Sequence, residues 1–219
     1  MIVAVDGPSG AGKGTLARRL AERLNFAYLD TGALYRAVAS RVLSEGGNPA
    51  DEKTATAVAR ALVPADMARA DLRSETTSQG ASKVAALIPV RQALLDFQRS
   101  FATLPPGNKE GAVLDGRDIG TVVCPEAEAK LFLTASAEER ARRRHKELLD
   151  RGEKAIYARV LEEMRERDRR DSERSAAPLV AAEDAVLLDT TDLSIEAVFE
   201  KALAVVLSRM EPREPARRT

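Results

Sequence analysis

The stretch Ile2-Val3-Ala4-Val5-Asp6-Gly7-Pro8-Ser9-Gly10-Ala11-Gly12-Lys13-Gly14-Thr15 sets the architecture of the whole chain. Its first five positions are mostly apolar and read as a buried strand. A helical pattern with apolar residues at Leu16, Leu20 and Leu24 comes after it. Strand, glycine-rich loop and helix in that order are the setting of a phosphate-binding loop. Glycines let the backbone wrap closely around phosphate oxygens, with successive N–H groups turned inward. The start of the helix near Lys13 adds a positive dipole end, and Lys13 itself a mobile point charge for the outer phosphates. The strict pattern G-x-x-x-x-G-K-[ST] is met from Gly7 to Lys13, but Gly14 takes the hydroxyl position and Thr15 comes one place later. No residue is therefore assigned as a direct metal ligand; Thr15 and, further on, Asp115 are candidates acting through water. A glycine-rich turn with no ligand is the plain alternative.

The rest of the chain fits one domain over 1–219, since 219 residues with 44% hydrophobic content suffice for one core with small appendages. Lys and Arg total 34, as do Asp and Glu, so the formal net charge is 0. No bulk charge draws the protein to nucleic acid or to a membrane, and any electropositive site must be local. The one cysteine, Cys124, excludes an intrachain disulfide and a cysteine zinc site. It reads as an inert small hydrophobe near a strand end. The one histidine, His145, reads as a solvated residue in a charged helix. There is no transmembrane run, and the apolar start is too short for a signal peptide. The expectation is a reduced, cytoplasmic monomer without membrane or nucleic-acid partners.

Strands and helices alternate: strand 2–6, helix 13–25, strand 27–30, helix 33–45, strands 112–115 and 129–134, a helix from Ala137, strand 185–189 and helix 195–210. Ser136 with Glu139 makes a capping box before the arginine-rich helix. Alternation of this kind implies a five-stranded parallel sheet covered on both faces, with ligands at the carboxyl ends of the strands. Asp6, Asp30-Thr31-Gly32, Asp115-Gly116-Arg117-Asp118 and Asp189-Thr190-Thr191 all fall at such ends. Two stretches interrupt the alternation and read as mobile parts: about 48–89, helical with a Ser/Thr-rich piece, and about 143–175, densely charged. The tail 211–219 is expected to fray.

A phosphate ester with its second pKa near 6 is largely a ready nucleophile at pH 7, so the difficulty in phosphorylating one is crowded negative charge. The remedy is alignment and convergent cations. Arg36, one turn into the helix after Asp30, is one candidate. Asp115, ending an apolar strand, is a candidate partner for a metal or its water; Arg117 can clamp a phosphate with its planar fork. Asp118 has the acceptor character that suits the N4 amine of cytosine. In the helix around 157–174, Val160, Leu161 and Met164 form one apolar face whose extension meets Arg167, Asp171 and Arg174. An ordinary surface pair between Arg167 and Asp171, i to i+4, is the bland alternative. Arg140, Arg143 and Arg144 share another face and fit the same lid, or a solvated charge run.

Taken together, GPSGAGKGT at 7–15, LDTGALYR at 29–36, LDGRDIGTVVCP at 114–125, RERDRRDSERSAAPL at 165–179 and LLDTTDLSIEAV at 187–198 resemble the bacterial cytidylate kinases, nucleoside monophosphate kinases of the P-loop NTPase fold. The resemblance implies an α/β fold with a short acceptor-binding insertion and a helical lid. It implies an enzyme of pyrimidine nucleotide metabolism that uses ATP and Mg²⁺ to phosphorylate CMP or dCMP. Under it, Gly7, Pro8, Ser9, Gly10, Ala11, Gly12, Lys13, Gly14 and Thr15 hold the ATP phosphates, with Lys13, Arg117 and Arg174 as the catalytic cations. Thr31, Tyr35, Arg36, Ser82, Arg91, Arg117, Asp118, Arg167 and Asp171 bind CMP, with Ser82, Arg91 and Asp118 reading the base. The long form of the family carries a small antiparallel sheet in its acceptor-binding insertion; here Val63–Ser82 is too short and too poor in β-branched alternation for one. A kinase of the same build with an AMP, UMP or shikimate acceptor is the rival reading, and an NTP-driven switch or RNA-binding module the more distant one. Zero net charge and 4% aromatics speak against RNA.

Overall fold

The computed structural model describes residues 1–210; the tail 211–219 lies outside the described residues. Five strands, β1 (Ile2–Asp6), β2 (Ala27–Asp30), β3 (Ala112–Asp115), β4 (Ala129–Thr134) and β5 (Val186–Asp189), form one sheet in the order β2-β3-β1-β4-β5. Every pairing is parallel. The α/β architecture expected from the alternation is therefore present. β1 runs through the centre, and Val3, Ala4 and Val5 are wholly buried because alternate residues serve opposite faces. Val3 and Val5 pack with Leu16 and Leu20 of α1 (Lys13–Leu24) and with Phe199 and Val206. Ala4 faces the other way, onto Leu29, Leu114 and Ile119.

Helix α2 (Thr31–Ser44) follows β2 directly. It begins two residues before the expected Ala33 because the Asp30 carboxylate accepts the N–H of Ala33 at 3.0 Å and so caps the first turn. Between β2 and β3 the described residues contain no strand. They form α3 (Glu52–Arg60), two 3₁₀ turns at Pro64–Ala68 and Ala70–Arg73, α4 (Glu75–Val84) and α5 (Ile88–Thr103). Val38, Val42, Ala55, Val84 and Val90 give these helices an apolar core separate from the sheet. α6 (Ala137–Asp150) and α7 (Tyr157–Glu173) are joined near Gly152 and share a smaller cluster of Ala141, Leu148, Val160 and Met164. α8 (Ile195–Met210) closes the fold.

Of the expected capping box only one half forms. Ser136 accepts the N–H of Glu139 at 3.2 Å, but the Glu139 carboxylate turns to Arg142 and Arg143. His145 is half-buried rather than solvated: its Nε2 lies 3.2 Å from the Ala155 carbonyl and its ring meets Tyr157 edge-on. Cys124 is buried just before β4, and burial pushes its thiol up to about 11, in keeping with an inert role. No helix among the described residues is long and apolar enough to cross a membrane.

The registers decide where chemistry can happen. Asp30 and Val5 both stand opposite Asp115, so β1, β2 and β3 end together and put Asp6, Asp30 and Asp115 on one rim. β1 has β3 on one side and β4 on the other, and the crevice where the connections diverge is the natural ligand site of such a sheet.

Candidate active site

A cleft of about 450 Å³ opens at this rim. Its floor is the loop between β1 and α1. Gly7 has φ +141° and sits so close to β4 that a β-carbon there would lie 2.1 Å from the Leu133 carbonyl oxygen; Gly12, just before the helix, has φ +95°. Neither geometry suits an L side chain. The loop is braced from outside: Thr190 Oγ1 donates to the Ala11 carbonyl at 3.1 Å and Arg140 to the Ser9 carbonyl at 3.2 Å. Lys13 Nζ donates to the Pro8 carbonyl at 2.7 Å and is itself buried. Burial, then the nearby Arg117, lower the Lys13 ammonium well below the ordinary lysine range. An anion beside it would reverse that cost.

Cations face the loop from the other wall. Arg36 Nη2 lies 2.7 Å from Asp30 Oδ2, which sets it over the start of α2. A β-carbon at Gly32 would stand 2.9 Å from that guanidinium, so the helix start leaves room for Arg36 to fold back. Arg117 Nε donates to Asp171 Oδ2 at 3.1 Å. Arg167 reaches the cleft from α7, and burial, then Arg117, pull its guanidinium down to about 10. Asp171 pairs with Arg117 rather than in a surface i,i+4 pair with Arg167 among the described residues. The Nε groups of Arg36 and Arg167 are buried without a hydrogen-bond partner. Orphaned donors on crowded cations inside a cleft call for an anionic ligand.

Beyond these arginines lies a second, polar corner. Asp118 is buried; it accepts from Arg91 and, at 3.4 Å, from Arg174. The Arg91 guanidinium lies 5.7 Å from the centre of the Tyr35 ring. Ser82, buried in α4, donates to Asp171 Oδ1 at 3.1 Å. A carboxylate acceptor, a guanidinium fork, an aromatic ring and a hydroxyl thus line one recess beside the phosphate-seeking cations.

Residues 3–208 match the family model for cytidylate kinase. The chain belongs to the cytidylate kinase family. It is 59% identical to a cytidylate kinase of Paramagnetospirillum magneticum over 95% of this chain and 98% of that one, and 54% identical to that of Rhodospirillum rubrum over 96% and 99%. A solved gluconokinase from Sinorhizobium meliloti aligns with TM-score 0.48 at 18% identity, over 94% of this chain and 91% of its own.

Most residues that the sequence resemblance to cytidylate kinases singles out line the one cleft: Ser9, Gly10, Gly12, Lys13, Gly14 and Thr15 on the loop side, and Thr31, Tyr35, Arg36, Ser82, Arg91, Arg117, Asp118, Arg167, Asp171 and Arg174 opposite. Gly7, Pro8 and Ala11 shape the loop from outside the lining. The Thr31 hydroxyl is engaged with the Asp115 carbonyl at 2.7 Å. The expected common face of Arg140, Arg143 and Arg144 divides into three tasks. Arg140 is buried in a bidentate pair with Asp168, at 3.1 and 2.7 Å, and holds the loop rather than a ligand. Arg143 donates to Thr190, and Arg144 reaches across the cleft to Glu75 at 2.9 Å. Glu75, Gln79, Arg18 and Arg73 also line the cleft and have no motif to mark them. Their positions follow from how the insertion folds over, which local periodicity does not encode.

Asp6 is turned away from this work. Its two carboxylate oxygens accept the N–H groups of Ile119 and Gly120, both at 2.8 Å, tying the segment after β3 to the end of β1. Burial raises its pKa to about 6 against the pull of those two donors.

No group of three or more His, Cys, Asp or Glu able to cage a metal occurs among the described residues. Mg²⁺ does not need one: it keeps several waters and binds through one or two carboxylates together with substrate phosphates. Asp115 suits that part. It is buried at the cleft, and burial, then Asp30, raise its pKa to about 6, a cost that a cation would relieve.

Proposed function

We propose that the protein transfers the γ-phosphoryl group of ATP to CMP or dCMP, giving ADP and CDP or dCDP. The observation that carries this reading is the confrontation, across one cleft, of the Lys13 loop with Arg36, Arg117, Arg167 and Arg174, beside a recess holding Asp118 and Arg91. The loop N–H groups and Lys13 bind the donor phosphates. Arg36 and Arg167 bring their unpartnered donors to the acceptor phosphate. Arg117 and Arg174 offset charge on the equatorial oxygens in flight. Asp115 and Thr15 would hold Mg²⁺ through water, and the ion would supply positive charge to the donor phosphates. The acceptor oxygen is already ionised at neutral pH, so no side chain needs to remove a proton from it. α6 and α7 exclude water, which otherwise competes as acceptor.

Cytosine offers an amine donor and two acceptors along its pairing edge. Asp118 accepts from the amine while Arg91 donates to the ring. Uracil reverses the polarity at two positions and would leave buried groups unpaired, at about 1–3 kcal/mol per group. The test is a panel of CMP, dCMP, UMP and AMP with ATP. CMP and dCMP are expected to turn over at least tenfold better, by kcat/KM, than UMP or AMP; faster turnover of UMP or AMP refutes the reading.

A further inference from the structure

Gly14 stands where the strict phosphate loop carries a hydroxyl side chain, and the space beside it is filled in a particular way. A β-carbon at Gly14 would lie 3.2 Å from Asp115 Oδ2, 3.4 Å from Arg18 Nη2 and 3.6 Å from Tyr28 Oη. Three polar groups from α1, β2 and β3 thus converge on the position where a loop serine or threonine would project. Tyr28 Oη donates to Asp115 Oδ2 at 3.0 Å. Asp115, Arg18 and Gly14 line the cleft, whereas Tyr28 does not: its phenol reaches Asp115 from behind. The Arg18 guanidinium lies 5.7 Å from the centre of the Tyr28 ring and interacts with its hydroxyl as well.

We propose that Tyr28 is a positioning residue that acts, from β2, by holding Asp115 in the orientation that receives the divalent cation of the nucleotide, in a loop that has no hydroxyl at position 14. The inference rests on the proposed role of Asp115 as the cation's partner through water. Its chemistry is simple. A carboxylate with one oxygen committed to a phenol is restricted in orientation, with its other oxygen left to accept from the cation's water. The phenol is the donor and the carboxylate the acceptor in this pair. The hydroxyl-free GKG loop and the tyrosine at 28 then form a unit. A side chain at 14 would contact Asp115 and Tyr28, and without one the carboxylate needs another anchor.

The test is Tyr28→Phe, which keeps the ring beside Arg18 and removes the hydroxyl, with Arg18→Ala as the control for the part of the effect that runs through Arg18. Mn²⁺ is titrated into the full-length protein with a non-hydrolysable ATP analogue, and free Mn²⁺ is followed by electron paramagnetic resonance. The expected result is a roughly tenfold weaker Mn²⁺ affinity in Tyr28→Phe, with metal-free affinity for the analogue unchanged. Asp115→Asn should weaken Mn²⁺ binding as well, and adding Tyr28→Phe to it should cause no further loss. Unaltered Mn²⁺ affinity in Tyr28→Phe, with a loss in Asp115→Asn, overturns the role of Tyr28 alone. Unaltered affinity in Asp115→Asn overturns the role of Asp115. Fully additive losses in the double variant place the effect of Tyr28 elsewhere and also overturn the proposal.

Discussion

Arg117 Nε lies 3.1 Å from Asp171 Oδ2, which joins the turn after β3 to helix α7. The same carboxylate accepts the Ser82 hydroxyl from α4 at 3.1 Å. Asp171 therefore ties together α7, α4 and the turn after β3. Burial alone would raise its pKa, but Arg117, Arg167 and Arg174 hold it below the usual carboxylate range, so it is a fixed negative charge at neutral pH. Asp171→Asn keeps the shape and removes the charge that aligns Arg117. A hydrogen bond to a charged group is worth about 1.5–3 kcal/mol. The expected loss in kcat/KM for CMP is accordingly about 10- to 100-fold, with the affinity for ATP within about twofold of the parent; steady-state kinetics beside calorimetric titration of ATP checks both.

Asp118→Ala separates the two nucleotide sites more sharply. Asp118 is the shared partner of Arg91 and Arg174, whose side chains are 10% and 4% exposed. Its removal leaves two buried guanidinium groups without their counter-ion and, on the proposed function, takes away the acceptor for the cytosine amine. KM for CMP should rise more than tenfold while ATP affinity stays near the parent's value. Loss of ATP binding with CMP selectivity intact would place the base elsewhere.

The sheet and its rim were legible because their signals are local. Val3 and Val5 against Ala4, a loop of glycines and an aspartate ending each of β1, β2 and β3 can be read one stretch at a time. The extension of the Val160–Met164 face to Arg167 and Asp171 was legible for the same reason: helical period carries an apolar stripe on to its charged end. Partnership was not. Nothing near Asp171 in sequence points to Arg117, and nothing marks Glu75 as the residue opposite Arg144, because both pairings depend on how separate segments fold over the sheet. Arg140 shows the limit of a shared face, for its burial excludes the solvated charge run and leaves it within the α6–α7 pair. It shares a helix face with Arg143 and Arg144, yet its depth in the fold gives it to Asp168 and the Ser9 carbonyl.

Two glycines of the loop should respond differently to alanine. At Gly12 the β-carbon meets nothing within 4 Å, so only the backbone strain of φ +95° counts, about 1–2 kcal/mol. At Gly7 a strain of its own, at φ +141°, adds to a contact of 2.1 Å with the Leu133 carbonyl oxygen, a backbone atom of the central sheet that cannot rotate away. Gly7→Ala should cost more than about 3 kcal/mol and abolish ATP binding, since the loop must lift from β4. Chemical denaturation orders the two, and equal losses would show that the loop does not rest on β4.

Asp6 makes the stability of the ligand-free protein depend on pH with a definite sign. Its pKa is about 6 in the folded protein against an ordinary 3.8, with burial as the main cause and Asp118 adding to it, while the N–H groups of Gly120 and Ile119, and Lys13, oppose. The folded state therefore holds the Asp6 proton more tightly than the unfolded chain does. Between about pH 4 and pH 6 the folded form binds more protons, so the contribution of Asp6 to stability falls as pH rises through that window. Above it a constant penalty remains, at most roughly 3 kcal/mol for a shift of about two units. Asp6→Asn cannot titrate, so its unfolding free energy should lose less than the parent's between about pH 4.5 and 6.5, whatever its absolute value. The comparison cancels the ionisable groups that do not sense Asp6; Asp118 and Lys13, which do, are part of the effect. Parallel curves from urea unfolding across that range would mean that Asp6 keeps its ionised form at no cost, and that the two backbone N–H groups it receives outweigh its burial.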